Sequence, residues 1–295
     1  MREPQRNTHE NPGEQQSSML PIYGRALLGM LPGRRRSAQV PGGELSSTVV
    51  IDPAEVARFS RVVGAPVGNR VPPAYLHVLG FPLSMRLMTD PRFPVPAMGM
   101  VHIRTAYTQL RPVEVGEELT LTVGVEEPRA HARGTEIGFR VRGSVAGEPV
   151  FDEIWVCLAK GAALPGAAPA AEQERKDFTA PVPTAEWRLA PAIGPQYARV
   201  SGDYNPIHMN PLAAKAFGFP RSIAHGMYTA ARGFAAADVR LDAFRWEFEF
   251  AKPIVLPARA AFRVTRREAD GSVDYAVWNP KSGKPHLLAA VAPLR

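Results

Sequence analysis

The stretch YARVSGDYNPIHMNP, Tyr197 to Pro211, crowds Asp203, Asn205 and His208 among glycine and proline breaks. A carboxylate can hold and orient a water molecule, and an imidazole can give or take a proton near neutral pH. Asp203 and His208 stand five positions apart with Pro206 between them, so an irregular backbone can bring both side chains to one point, with Asn205 positioning either. That is the minimum equipment for adding water across a polarised double bond or removing it. The same residues also suit a plain loop. Gly202 and Pro206 favour turns, Asp203 and Asn205 can bond back to nearby amides, and a lone histidine is often only a satisfied polar group. From the residue types alone, both readings stand.

The elements around this stretch must position it. AHGMYTAARGFAAADV, Ala224 to Val239, is the best helix candidate, with Met227, Ala230, Ala231 and Phe234 at helical spacing and small residues that let a sheet approach. After it, FRWEFEF (Phe244 to Phe250) places four aromatics on one strand face and Arg245, Glu247 and Glu249 on the other, the solvent side. Earlier, Leu119, Leu121, Val123 and Val125 alternate with polar or small residues, as do Ile137, Phe139 and Val141. Short helical regions followed by antiparallel strands predict an α+β class.

The pattern occurs twice. FSRVVG at Phe59 matches YARVSG at Tyr197; the same spacing pairs GFP at Gly80 with GFP at Gly218, Pro73 with Pro211 and Ser84 with Ser222. RPV at Arg111 and KPI at Lys252 follow at nearly that spacing. An unbroken register of this kind predicts a duplicated module. GAALPGAAPAAEQERKDFTAPVP, residues 161–183, reads as a linker between modules 19–160 and 184–295, with a disordered polar tail at 1–18.

Composition sets outer limits. A chain of 295 residues, 45% of them apolar, can fill real cores, and its single cysteine, Cys157, excludes an internal disulfide. No zinc-type Cys/His spacing, export signal or membrane span is visible, which fits a soluble protein of the reducing cytoplasm. The net charge of +7 allows an anionic partner, but the short run Arg34–Arg36 reads as a solvated loop, and nucleic acid is not expected.

The run YARVSGDYNPIHMNPLAAKAFGFPRSIAHGM resembles the hydratase 2 motif of the MaoC-like dehydratases, the (R)-specific enoyl-CoA hydratase family of hotdog-fold enzymes. Ser201, Gly202, Asp203, Asn205, Pro206 and His208 fall at the family's spacing, and the likeness continues through His225 and Gly226. The resemblance implies a double hotdog, two tandem modules each wrapping a sheet around a central helix. It further implies a catalytic pair, Asp203 and His208, supported by Asn205, with the Gly226 amide facing the thioester carbonyl. A helix N-terminus suits an oxygen gaining negative charge. Ser201, Gly202, His225 and Met227 are expected to line the substrate, although packing and capping of the helix start is the favoured role for His225.

The reaction implied by the resemblance is a reversible hydration of trans-2-enoyl thioesters to (3R)-3-hydroxyacyl thioesters, with no metal and no cofactor beyond the coenzyme A or acyl-carrier protein of the substrate. A hotdog thioesterase and a non-catalytic acyl-thioester-binding subunit are the rival readings, and a homodimer of two such chains is an expected assembly. In the first module the repeat register pairs Asp203 with Ala65, Asn205 with Val67, His208 with Arg70 and Gly226 with Met88, which leaves one site per chain. The apolar FPLSMRLM, Phe81 to Met88, could then house an acyl tail or simply fill a core. His77, His102, His131 and His286 read as solvated or locally satisfied.

Overall fold

The structure is a computed structural model that describes residues 19–30, 37, 39–170 and 177–294, without the side chain of residue 20. The tail 1–18, the run Arg34–Arg36 and the charged centre of the linker, 171–176, lie outside the described residues.

Each half begins with a strand, turns through helices and finishes in antiparallel strands. After helix α1 (Met19–Leu28), the first half runs β1 (Glu44–Val50), α2 (Pro53–Val63), α3 (Pro73–Met88), β2 (Met100–Gln109), β3 (Glu118–Val125), β4 (Arg129–His131), β5 (Gly134–Val145) and β6 (Glu148–Lys160). The second half runs β7 (Ala185–Leu189), α4 (Ile193–Ser201), α5 (Pro206–Met209), α6 (Pro211–Ala216), α7 (Gly226–Ala236), β8 (Phe244–Phe250), β9 (Ala258–Arg266), β10 (Val273–Trp278) and β11 (Pro285–Pro293).

Local chemistry sets these boundaries. Asp52 caps α2 by accepting from the amides of Ala54 and Glu55, with Pro53 in the first turn, and Gly64 ends the helix in the left-handed region at φ 74°. Gly202 ends α4 the same way, at φ 71°. Helix α7 is shorter than its apolar spacing predicts, stopping at Ala236 before Asp238, which takes a positive φ of 46°.

All strands join one antiparallel sheet in the order β1-β3-β5-β6-β2-β8-β11-β10-β9-β7, with β4 paired to β5. The two halves meet where β2 pairs β8, from Arg104 opposite Glu249 to Gln109 opposite Phe244. Along β8 burial alternates as expected: Phe244, Trp246 and Phe248 are buried while Arg245, Glu247 and Glu249 are exposed. Leu119, Leu121, Val123, Ile137, Phe139 and Val141 supply the core of the first half. Helices α3 and α7 lie side by side, as do α2 and α4. Gly80 of α3 and Gly233 of α7 permit close approach to the sheet, since a Cβ would stand 2.7 Å from Val141 Cγ1 at the first and 2.4 Å from Tyr275 Cε2 at the second.

The repeat register needs correction. It holds through α2 and α4, where Phe59 and Tyr197 face each other at 6.1 Å between ring centroids. It fails after the capping glycines. Nine positions separate Gly64 from Pro73 at the start of α3, whereas twenty-four separate Gly202 from Gly226 at the start of α7. The second half therefore carries fifteen more residues, and these build α5 and α6. Gly80 lies inside α3 and Gly218 in a turn at φ 84°, so the repeated GFP is a coincidence, and Gly226 corresponds to Pro73 rather than Met88.

Candidate active site

The extra residues carry most of the candidate site. Helix α4 ends at Ser201, whose Oγ accepts from the Asp203 amide at 3.2 Å, and Gly202 reverses the chain. The Asp203 carboxylate folds back, its Oδ1 accepting the Asn205 amide at 3.1 Å. Asn205 in turn caps α5, its Oδ1 accepting from Ile207 N at 3.3 Å, with Pro206 in the first turn. That cap sets His208 one turn further on, where its Nδ1 lies 2.8 Å from the Ile223 carbonyl. With Nδ1 protonated and donating, Nε2 is left with a free lone pair.

Asp203, His208 and His225 come together, each offering a ligand or acid–base atom within 4.8 Å of the others. The two imidazoles stack with centroids 3.8 Å apart. His225 holds the N-cap position of α7, yet its side chain caps nothing: Nε2 donates to the Asp203 carbonyl at 2.9 Å and lies 3.7 Å from Oδ2. The capping role expected for His225 is thus replaced by a contact with Asp203. Its Nδ1 is buried without a partner among the described residues. His225 is nearly sealed, at 2% side-chain exposure, whereas Asp203 keeps 28% and so faces an opening.

A partner of Asp203 invisible to sequence spacing arrives from α1. Tyr23 Oη donates to Asp203 Oδ1 at 2.8 Å across 180 positions of chain. Burial disfavours the ionised Asp203, but attraction to His225 and His208 and the bonds from Tyr23 and Asn205 outweigh it, holding the carboxyl below its usual range. Burial in turn holds His208 below the ordinary imidazole value and pushes His225 down to about 3. Both imidazoles are neutral at pH 7, and the Tyr23 and Asn205 hydrogen bonds are the part of this stabilisation of Asp203 that does not depend on their charge.

Gly226 opens α7 with no side chain capping its amides. A Cβ there would lie 2.9 Å from Phe250 Cζ, so only glycine fits beneath that ring. Met227 is buried beside it. Of the residues singled out by sequence, Ser201, Gly202, Asn205 and Met227 shape the loop and helix start, while Asp203, His208 and His225 converge. The Asp203–His208–His225 trio is also, among the described residues, a set spaced closely enough to ligate a cation, a grouping that the absence of zinc-type spacing concealed.

His77 departs from expectation, pairing with the distant Glu153 at 2.8 Å, whereas His102 is satisfied locally, by Thr105 Oγ1 at 2.8 Å. His131 bonds locally, to the Arg133 amide, while His286 bonds the Lys252 carbonyl 34 positions back in the chain.

Comparison with known proteins gives the same direction. Residues 168–277 match the family model described as the MaoC like domain. The chain is 39% identical over 269 residues to 3-hydroxyacyl-thioester dehydratase X of Mycobacterium tuberculosis, covering 90% of this chain and 95% of that one. A crystal structure of that organism's HtdX superposes with a TM-score of 0.75 at 38% identity, covering 85% of this chain and all (100%) of that one. A further M. tuberculosis protein, described as having a double hotdog fold, has a TM-score of 0.54 over 86% of this chain and 96% of its own; at 14% identity it speaks for the fold alone. The α+β architecture is that of a double hotdog, and the chain belongs to the MaoC-like dehydratase family.

Proposed function

We propose that the chain is a hydro-lyase that reversibly adds water to trans-2-enoyl thioesters, giving (3R)-3-hydroxyacyl thioesters. The observation that carries this reading is the meeting of an ionised Asp203 and a neutral His208 beside the uncapped start of α7.

Water is held between the Asp203 carboxylate and His208 Nε2. As its oxygen bonds to C3, its proton passes to Nε2, and the resulting imidazolium is stabilised by Asp203. The C2–C3 π electrons move toward the thioester, whose carbonyl oxygen gains charge opposite the Gly226 amide. His208 then returns the proton to C2, so one water is added and the enzyme is restored. Dehydration is the reverse. Tyr23 and Asn205 keep Asp203 ionised and oriented; His225 fixes the loop through the Asp203 carbonyl. The thioester itself activates the alkene, so the reaction needs neither a metal nor a redox cofactor. Coenzyme A or acyl-carrier protein is the handle, and both are anionic, which suits a chain of net charge +7.

No helix among the described residues is long and apolar enough to cross a membrane. The buried free Cys157 fits a reducing cytoplasm as the working compartment. Pairing of two chains belongs to the same proposal, and light scattering reads it.

The test mixes the protein with crotonyl-CoA and follows both the conjugated-thioester absorbance and free thiol. Loss of conjugation without thiol release supports hydration; thiol release supports a thioesterase; neither change, with tight binding, leaves a binder. Asp203→Asn and His208→Ala should each lower kcat by about 10²–10⁴, the usual contribution of a positioned acid–base group.

A further inference from the structure

A second buried polar group lies in the first half and takes no part in the chemistry above. His77 of α3 meets Glu153 of β6, its Nδ1 2.8 Å from Glu153 Oε1, with side chains only 7% and 1% exposed. The His77 ring stacks on His102 of β2 at 5.9 Å and meets the edge of Trp155 of β6 at 5.5 Å. Two atoms of this group have no hydrogen-bond partner among the described residues: Glu153 Oε2, an acceptor, and Trp155 Nε1, a donor. Standing two positions apart on one strand, Glu153 and Trp155 project from the same face. Buried polar atoms are seldom left unmet, so an unmet donor and an unmet acceptor on one strand face suit a ligand that is both.

The group adjoins the Asp203 site. The Phe250 ring touches the Gly226 position and meets His102 edge-on at 5.1 Å, and His102 in turn stacks on His77. Phe81, His102 and Phe250 are only partly buried, although all three belong to this ring cluster on the helix side of the sheet. From the Gly226 position these contacts run through Phe250 and His102 to His77, Glu153 and Trp155.

We propose that Glu153 and Trp155, braced by His77, form a hydroxyl-binding subsite on the acyl path, and that the preferred substrates are enoyl thioesters whose tail carries a hydroxyl group. The subsite rests on the hydration reading and adds the chemistry of the tail to it. A hydroxyl donates to Glu153 Oε2 while accepting from Trp155 Nε1; a ketone can only accept, and a hydrocarbon tail satisfies neither. A site with buried polar groups rejects the analogue that leaves them unpaired far more strongly than an apolar pocket rejects a change of length.

The experiment compares trans-2-decenoyl-CoA with monohydroxylated analogues in which the hydroxyl is moved along the tail, and with the matching ketones. At one hydroxyl position kcat/KM should exceed that of the plain chain by about tenfold or more, with the ketone between them. Trp155→Phe, which removes the donor and keeps a ring, and Glu153→Gln should each collapse that ratio toward one. Binding of the saturated acyl-CoA pairs, measured alongside, reads the subsite without turnover, so failure of the hydratase reading and failure of the subsite are separate outcomes. Equal affinity and equal kcat/KM at every hydroxyl position would overturn the proposal and leave the polar group to buried water.

Discussion

Tyr23 and Asp203, 180 positions apart, share a 2.8 Å hydrogen bond at the centre of the candidate site. The donor belongs to the first helix, packed at 7% exposure, and the acceptor to the loop that the second half adds after α4. The bond favours the ionised carboxylate and fixes one of its two oxygens, leaving the other toward His225.

Tyr23→Phe should therefore lower kcat/KM for crotonyl-CoA hydration by about tenfold, the equivalent of one charge-assisted hydrogen bond. The acid limb of its pH profile should also move upward, because Asp203 loses a group that stabilises its charge. A steady-state profile of wild type and variant reads both effects; an unmoved limb would assign Tyr23 to packing alone.

The pH dependence of wild type follows from the same site. The proposed scheme needs Asp203 ionised and His208 neutral, and both groups are held below their ordinary values of 3.8 and 6.5. Hydration should thus be flat through neutrality and fall only on the acid side of pH 6.5. Stability takes a related course. Burial depresses His225 and His102 to about 3, so their neutral forms cost nothing above pH 6.5, where the unfolded chain is neutral too. As pH falls below 6.5 the unfolded chain takes up protons that the folded one refuses, and stability drops by up to about 1.4 kcal/mol per pH unit per histidine until the folded state also titrates near 3. Urea midpoints between pH 7.5 and about 4.5 should show that decline in stability.

Gly194, in the first turn of α4, lies against the backbone of His208. A Cβ there would stand 2.1 Å from the His208 carbonyl oxygen, a backbone atom that can yield only if the loop shifts. Gly194→Ala should displace His208 and lower kcat by about a hundredfold, the usual cost of misplacing a reacting group by an ångström. Circular dichroism should show the fold retained, which separates displacement from unfolding.

The Asp203–His208–His225 trio can accept a cation by its spacing, so metal dependence is a direct test of the water-activation scheme. Dialysis against a chelator should leave kcat/KM within about twofold, since the proposed scheme makes the nucleophile with His208 rather than with a Lewis acid. Added Zn²⁺ should inhibit by occupying the free lone pairs of the trio.

Much of the fold is legible in the chain order. The turn residues around Asp203, the alternation of Phe244 to Phe250 and the small-sided helix from Gly226 each arise from local preferences acting over a few residues, and the structure keeps them. The duplicated register is legible only as far as Gly64 and Gly202. Beyond these caps one half has gained fifteen residues, and a chance GFP hides the insertion. Local similarity carries no information about where an insertion falls until the central helices are aligned in space.

His225, Tyr23 and the His77–Glu153 pair mark the other limit. His225 is visible beside Gly226, but its contact with the Asp203 carbonyl depends on the angle at which α7 meets the loop. Tyr23 lies in an apolar stretch interrupted by arginine, glycine and proline, and His77 and Glu153 stand 76 positions apart on different elements.

The sequence by itself determined the class of fold and the loop that carries Asp203 and His208, because capping, turn and alternation signals act between near neighbours, and it carried the motif whose resemblance implied the family. Only the tertiary structure decided that Tyr23 bonds Asp203, that His225 stacks on His208 and that a polar pair lies among the apolar residues of the first half. Those contacts join helices and strands across one continuous sheet, and their distances are set by packing that no spacing along the chain encodes.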